Sequence, residues 1–397
     1  MKLLYACNEN AHDRNIWSGL VWHIWKALEQ AGLEVELFDQ VPLQCPLYIR
    51  AIHNYHKRLS RRYAHYLGVE PEILKKAASP IEERYRQTAC AAVFCPGTGY
   101  PVNAYIDPAI PVFSYLDATK QTWLRHYSGW NSFCKRTQRQ VKEVDKVALS
   151  NNTLTIFSTD WAARLAIAET GTSPEKVAVV PFGANLVTSP SDQEVEVMIR
   201  DRGIDPCRLL FIGVEWERKG GSEVLKLLSA LHGRGINAQL DVVGCEPSVP
   251  EDLVPFIRRH GYVDRSKPEG HSLFKGLLAR SHFLLLFSKA EAFGLSLCEA
   301  NAYGVPCIAR KVGGPAEIVI PNVNGVLISS SSDLADATDW ALTQLKTPES
   351  YARLARSARS QYNVRLNWRV SGQRLRSLIE STLDRQKQSV FSEGRSP

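Results

Sequence analysis

Two glutamates flank a glycine directly after the most apolar stretch of the sequence. Phe283–Phe287 predicts a buried strand, and Gly294 stands where the loop after that strand would become a helix. The backbone amides of residues 293–295 would be free donors at the helix start, a position that favours a phosphate group. Glu291 would lie in the loop and Glu299 about a turn and a half into the helix, so both carboxylates could accept hydrogen bonds from one polyhydroxylated ligand. The alternative is a plain strand-loop-helix connection with two surface glutamates.

Several common cofactor and metal motifs are missing from the 397 residues. The chain has no Gly-x-x-x-x-Gly-Lys-Ser/Thr, and its nearest approach to Gly-x-Gly-x-x-Gly, at 97–102, ends in Val102 instead of glycine. It also lacks Asp-x-Asp and His-Glu-x-x-His. These absences disfavour a nucleoside-triphosphate hydrolase and an ordinary dinucleotide dehydrogenase, and they predict neither a metal site nor a cofactor.

The first half of the chain reads as alternating strands and helices. An apolar strand over 2–7 is followed by a polar loop, a helix that ends at Gly32 and a second strand over 33–38, which is a βαβ unit with parallel pairing. Short apolar runs recur at 90–95, 110–116, 154–158 and 177–182. This order predicts a doubly wound α/β domain.

A second series of strands begins near Leu209 and continues at 240–243, 283–287, 306–309 and 325–328. The fold class is therefore α/β, with two doubly wound, Rossmann-like domains that face each other across a cleft where ligands would bind. We predict the first domain over 1–190, the second over 191–366, a carboxy-terminal helix over 367–386 and a disordered tail over 387–397.

The net charge of +7 is unevenly distributed. Residues 51–150 hold 15 Lys and Arg against 8 Asp and Glu, and residues 351–397 hold 10 against 3. The basic run that contains Lys57, Arg58, Arg61 and Arg62 is either a solvated helix face or a patch for an anionic substrate or membrane surface.

The pattern Glu-Ala-Phe-Gly-Leu-Ser-Leu-Cys-Glu, from Glu291 to Glu299, resembles the Glu-x7-Glu motif of retaining glycosyltransferases of family 4, which have the GT-B fold. Other segments resemble that family in the same order. They are 17–19, 158–163, 181–185, 211–221, 304–306 and 313–314. The resemblance covers nearly the whole chain and is weakest from 42 to 88.

The resemblance implies a role for each matching residue of the second domain. Glu291 would bind hydroxyls of the donor sugar, and Glu299 would bind the ribose of the nucleotide. Arg218 and Lys219 would hold the diphosphate, whose negative charge grows as the glycosidic bond breaks. The remaining donor-binding positions are Gly213 in the phosphate-binding loop and Phe293, Gly294 and Leu295 through their backbone amides. The chain departs from the family because Val214, and not an arginine, follows Gly213. An exposed basic loop is the alternative for Arg218 and Lys219.

Three further residues are candidates for a role in the first domain or in packing against it. Gly19 lies between a strand and a helix, so the backbone could approach the donor phosphates or the acceptor there, or the glycine could form an ordinary tight turn. Asp117 ends a strand near the place where family members often carry a histidine, and it would either orient the acceptor hydroxyl or cap the next segment. Trp368 resembles the point at which the last helix packs back on the first domain.

Together these features predict a retaining glycosyltransferase that transfers a sugar from a nucleoside-diphosphate sugar to a saccharide or lipid-linked acceptor, in polysaccharide or glycolipid synthesis. Without a signal or membrane-spanning pattern, we expect a cytoplasmic protein that peripherally contacts the inner membrane face and binds no nucleic acid. The alternatives are a GT-B phosphorylase or epimerase, a catalytically silent nucleotide-sugar binding protein and, on charge alone, a nucleic-acid binder.

Overall fold

The computed structural model describes residues 1–58, 65–97, 100–127 and 129–393. The chain divides into two compact units, and each is described separately. Unit 1 comprises Met1–Pro181 and Trp368–Pro397, and unit 2 comprises Phe182–Asn367. Arg61, Arg62, residues 98–99 and the last four residues of the expected tail lie outside the described residues.

Each unit contains a sheet of six parallel strands. Unit 1 has the strand order β2-β1-β3-β4-β5-β6, and unit 2 has the order β12-β11-β10-β7-β8-β9. In both sheets the chain builds one edge and then returns past its first strand to build the other, so the predicted doubly wound topology is confirmed. The strands are β1 Lys2–Ala6, β2 Glu34–Phe38, β3 Ala92–Pro96, β4 Val112–Leu116, β5 Leu154–Phe157, β6 Val177–Val179, β7 Cys207–Ile212, β8 Ala238–Val243, β9 Ile257–Arg259, β10 Phe283–Leu286, β11 Cys307–Arg310 and β12 Gly325–Ile328.

Helices connect the strands and cover the sheets, as parallel pairing requires. They are α1 Leu20–Gln30, α2 Leu47–Arg58, α3 Pro71–Arg86, α4 Lys120–Tyr127, α5 Lys135–Asn151, α6 Asp160–Thr170, α7 Asp192–Asp201, α8 Gly221–Gly233, α9 Pro268–Arg280, α10 Leu295–Ala302, α11 Pro315–Ile318, α12 Leu334–Gln344, α13 Pro348–Arg365 and α14 Trp368–Glu393. Across the described residues, none of these helices has the length and apolar character needed to cross a membrane.

The last helix belongs to unit 1, where α14 lies directly against α1. Gly372 brings the two backbones together, because a Cβ there would collide with the Ala27 carbonyl oxygen. Arg376 donates a 2.7 Å hydrogen bond to the Ala31 carbonyl at the end of α1, and Trp368 stacks on His23 with ring centroids 6.0 Å apart. The helix continues past residue 386, where the sequence predicted a tail, and is described to Glu393.

Unit 2 begins earlier than the predicted boundary at 190–191. Phe182 packs edge-to-face against Phe293 at 5.1 Å between ring centroids, and the Ala184 amide donates to the Leu366 carbonyl at 2.9 Å. These contacts attach residues 182–190 to unit 2. Strand β9 was missed by sequence analysis because only Ile257 of its three residues is buried, so the run has no apolar pattern.

Candidate active site

A loop between β7 and α8 places one lysine over the end of the sheet. The side chain of Lys219 lies so close to Gly213 that a Cβ at that position would overlap it. Gly220, which directly precedes α8, has a φ of 78°, in the left-handed region that favours glycine. The two glycines therefore determine the path of Lys219, which is the structural reason for the glycines around this basic loop.

Lys219 forms an ion pair with the first glutamate of the motif. Its Nζ lies 2.9 Å from Oε2 of Glu291, and the same oxygen accepts a 3.0 Å hydrogen bond from the Ser288 hydroxyl. The Lys289 amide donates to the Arg218 carbonyl at 2.8 Å, which joins the loop after β7 to the loop after β10. The structure thus brings together two residues 72 positions apart that the sequence assigned to one site.

Arg218 also reaches this cluster, although it does not follow Gly213 directly. Its guanidinium donates to the Ala290 carbonyl at 2.8 Å and lies 3.9 Å from the Glu291 carboxylate. On its other side it bonds Glu215 at 2.7 Å. Val214, which stands where the family pattern has arginine, is 62% exposed. The alternative of a purely exposed basic loop is therefore wrong for Arg218 and Lys219.

The start of α10 presents backbone donors beside the ion pair. Gly294, with a φ of 97°, precedes the helix. Within the described part of the chain, no protein acceptor is found for the amides of Phe293, Gly294 and Leu295. Gly314 packs directly on the Phe293 backbone, where any Cβ would overlap it. This close approach holds the turn in the conformation that an anion at a helix start requires.

Glu299 lies on the first turns of α10 and is only 3% exposed. Its Oε1 accepts a 2.6 Å hydrogen bond from Arg265, in the loop after β9. Burial raises the pKa of the Glu299 carboxyl, while the positive charge of Arg265 opposes that shift. Sequence analysis missed Arg265 because it follows the unrecognised strand β9 and belongs to no motif.

In unit 1, three consecutive residues before α1 have positive φ. Trp17 has a φ of 47°, Ser18 of 55° and Gly19 of 86°. The first two are non-glycine residues in a strained region of the backbone, so the surrounding structure must hold them there. Gly19 is therefore part of a constrained loop and not of an ordinary tight turn.

Asp117 contacts this loop from the end of β4. The Trp17 indole donates to Oδ2 of Asp117 at 3.4 Å, and the indole ring lies against Gly97, where a Cβ would overlap it. Burial raises the pKa of the Asp117 carboxyl to about 6, and the Trp17 hydrogen bond opposes the shift. Unit 1 thus brings Asp117 together with the loop that contains Gly19. Sequence analysis named Trp17 only as part of the segment that resembles the family and predicted no contact for it.

The two units together correspond to a known architecture. The chain aligns with sucrose-phosphate synthase from Thermosynechococcus elongatus over 96% of its length and 98% of that chain, with a TM-score of 0.64 and 17% identity. Anabaena HepE, solved in complex with UDP and glucose, aligns over 96% of this chain and 100% of its own, with a TM-score of 0.60 and 16% identity. The fold is GT-B, as the sequence predicted.

The segment that carries the site of unit 2 is also similar in sequence to a known family. Residues 199–361 match the sequence model of the family described as "Glycosyl transferases group 1". A D-inositol 3-phosphate glycosyltransferase of Mycobacterium tuberculosis is 27% identical over 237 residues, which cover 58% of this chain and 47% of that protein. The chain thus matches about half the length of these curated relatives. Over residues 199–361 the sequence is therefore similar to group 1 glycosyltransferases.

Proposed function

We propose that the protein is a retaining glycosyltransferase that uses a nucleoside-diphosphate sugar held by unit 2. One observation carries the proposal. The Lys219–Glu291 ion pair, the amides at the start of α10 and the buried Glu299 all lie in loops or helix starts that follow the carboxyl ends of one parallel sheet. An anionic diphosphate with a sugar on one side and a ribose on the other matches this order of cations, donors and carboxylates.

In the reaction, the bond between the sugar anomeric carbon and the diphosphate oxygen breaks, and a bond to the acceptor oxygen forms on the same face. The proton of the acceptor hydroxyl goes to the departing phosphate oxygen. Lys219 and Arg218 stabilise the charge that develops on the diphosphate, so no metal ion is required for that task. Glu291 accepts hydrogen bonds from sugar hydroxyls and orients the donor. HepE, a structural neighbour solved with UDP and glucose, supports this class of donor.

The acceptor belongs, in this proposal, to unit 1. That unit contains residues 51–150, with 15 Lys and Arg against 8 Asp and Glu, and residues 368–397, with 6 against 3. Residues 351–367 of the basic carboxy-terminal block belong instead to unit 2. Asp117, beside the loop of Gly19, would orient the acceptor hydroxyl. An anionic saccharide or lipid-linked acceptor, as used in cell-surface polysaccharide or glycolipid synthesis, fits this charge.

Helix α2 supports contact with an anionic membrane surface from the cytoplasmic side. Leu47 is 81% exposed and Tyr55 is 58% exposed, and two turns of helix separate them on one face. Arg50 and Arg58 of the same helix are also exposed. Exposed apolar and aromatic side chains beside cations are typical of helices that lie in a membrane interface, where each cation contributes about 1 kcal/mol.

Liposome co-sedimentation tests the membrane contact. Arg50→Gln with Arg58→Gln should reduce binding to vesicles with anionic lipid by roughly thirtyfold, at about 1 kcal/mol for each charge. The matched control, Lys346→Gln with Arg353→Gln, removes two exposed cations from unit 2 and should leave binding unchanged. Equal binding to neutral and anionic vesicles, or none to either, would eliminate the membrane contact.

A donor screen tests the enzymatic proposal itself. Nucleoside-diphosphate sugars with different bases and sugars are compared for the rise in melting temperature that a ligand of the folded state produces. Incubation of the stabilising donor with a saccharide acceptor, with and without inorganic phosphate, then distinguishes the alternatives. A phosphorylase would depend on phosphate, an epimerase would alter the sugar without an acceptor, and a silent binding protein would form no product. No stabilisation by any donor would contradict the proposal, and a shift with nucleic acid alone would favour the nucleic-acid alternative.

A further inference from the structure

The guanidinium of Arg265 links two segments of unit 2 that follow strands which are not neighbours in the sheet. Arg265 follows β9 and Glu299 lies on the helix after β10, and the strand order places β8 and β7 between these two strands. The Arg265 Nη1 nevertheless lies 2.6 Å from Oε1 of Glu299. With strands about 4.8 Å apart, the loop after β9 must therefore return toward β10 for this contact to form.

A fixed turn holds the backbone of Arg265. The carboxylate of Asp264 accepts from the Ser266 amide at 3.0 Å and from the Ser266 hydroxyl at 2.6 Å. Gly270, at the start of α9, packs so closely on the Asp264 carbonyl that a Cβ would overlap it. The guanidinium itself lies 4.8 Å from the centre of the Phe274 ring. Arg265 is therefore held by hydrogen bonds, backbone packing and an aromatic face.

The Glu299 carboxylate has one oxygen engaged. Among the described residues, Oε1 bonds Arg265, and no protein hydrogen bond reaches Oε2. The titratable groups that face this carboxylate are Arg265, Lys219, the Tyr303 phenol and the Cys298 thiol. Of these, only Arg265 and Lys219 bring positive charge, and Lys219 is already paired with Glu291. Arg265 is thus the principal group that opposes the rise in the pKa of this buried carboxyl.

We propose that Arg265 is a positioning residue that fixes Glu299 through one oxygen and leaves the other to accept hydrogen bonds from the ribose hydroxyls of the donor. This inference rests on the proposed function, since it assumes that Glu299 binds the ribose. The ability of the site to distinguish a ribonucleotide from its deoxy counterpart then depends on Arg265, although Arg265 itself touches neither hydroxyl.

Calorimetry with matched nucleotide pairs tests the inference. UDP, GDP and ADP are each compared with their 2′-deoxy and 3′-deoxy forms, because loss of a hydrogen bond to a charged carboxylate should weaken binding roughly tenfold. The wild type should show this preference for at least one ribonucleotide, and Arg265→Gln should reduce it to about twofold. Arg265→Lys, which keeps the positive charge, should recover part of the preference.

Arg280→Gln is the matched control, because Arg280 pairs with Asp241 at similar exposure, 37% and 7% for the two side chains against 34% and 3% for Arg265 and Glu299. It should keep the wild-type preference, so a general loss of packing in unit 2 is distinguished from loss of this ion pair. Melting temperatures of all variants verify that they fold.

The pH profile gives a second readout that a merely structural arginine would not change. Removing Arg265 removes the charge that opposes the raised pKa of Glu299, so in Arg265→Gln the ribose preference should disappear at a higher pH than in the wild type as the solution is acidified. If Arg265→Gln keeps the full preference while Glu299→Gln loses it, the inference about Arg265 is wrong but the ribose role stands. If Glu299→Gln also keeps it, the ribose assignment in the proposed function fails, and the inference fails with it.

Discussion

The loops at the carboxyl ends of the two parallel sheets are stabilised by different interactions. In unit 2, three cations alternate with three carboxylates: Arg265 with Glu299, Lys219 with Glu291, and Arg218 with Glu215. In unit 1, Asp117 at the end of β4 instead contacts a loop whose backbone is strained at two non-glycine residues.

The two regions therefore differ in the physical means by which their side chains and backbone are held. Compensated ion pairs keep charged groups in a protein interior without an unpaired charge, and the same groups can exchange partners when a charged ligand arrives. A strained backbone instead holds a shape and supplies little charge. The charged loops of unit 2 are therefore suited to an anionic group, whereas the loop of unit 1 is suited to hold a fixed backbone shape. Four substitutions test this contrast, and they are given in order of decreasing expected effect.

Lys219→Ala removes the central cation of unit 2. We expect kcat to fall by roughly a hundredfold to a thousandfold, with a smaller rise in the KM of the donor, because the diphosphate gains charge in the transition state. Steady-state kinetics with the donor found by thermal screening measure both constants. Lys226→Ala, on the exposed side of α8, is the control and should retain both values. A raised KM at unchanged kcat would contradict a leaving-group role.

Asp117→Asn tests the carboxylate of unit 1. The folded pKa of Asp117 is about 6, above the ordinary value near 4 of the unfolded chain, so the native state binds more protons between these values. The free energy of unfolding of the wild type should therefore decrease by about 1–3 kcal/mol, relative to the Asn variant, as pH rises from 4 to 7. Urea unfolding at several pH values measures this difference, and a difference that stays constant with pH would show that Asp117 is not held in the protonated form.

Gly294→Ala tests the helix start in unit 2. At a φ of 97°, alanine should cost about 1–2 kcal/mol of folding free energy, and the shifted amides should weaken donor binding. Gly276→Ala is the matched control, because Gly276 lies in α9 with open space around its Cα. That substitution should stabilise the protein by up to about 1 kcal/mol. Equal effects of the two substitutions would mean that the turn at Gly294 is not constrained.

Trp17→Phe tests the strained loop of unit 1, and its expected effect is the smallest of the four. The substitution removes the 3.4 Å hydrogen bond to Asp117 and the outer part of the indole ring that lies against Gly97. We expect a loss of about 0.5–1 kcal/mol of stability at neutral pH, and the pKa of Asp117 should rise further because that bond favours the ionised form. The pH-dependent part of the urea unfolding curve should therefore move to higher pH, and an unchanged curve would exclude Trp17 as a partner of the carboxylate.

The amino-acid sequence was sufficient to predict the two doubly wound sheets, and it named most residues of the candidate site in unit 2. Parallel strands buried on both faces appear as continuous apolar runs, so the strand over Phe283–Leu286 was predicted within one residue. The residues Glu291, Gly294 and Glu299 lie within nine positions of one another, so a local motif can encode the loop, the helix start and the carboxylate together. Lys219 was found for the same reason, because the glycines that shape its path are its neighbours in sequence or close to it.

The distant residues that join these local motifs became apparent only in the folded chain. Arg265 contacts Glu299 across 34 positions and follows a strand with one buried residue, so no periodicity marks it. Trp17 and Asp117 meet across 100 positions, and the positive φ of Trp17 and Ser18 cannot be read from residues that rarely adopt it. The boundary of unit 2 at Phe182 depends on a ring contact with Phe293. Such contacts form because the folded sheets bring remote strand ends together, and chain order does not encode that proximity.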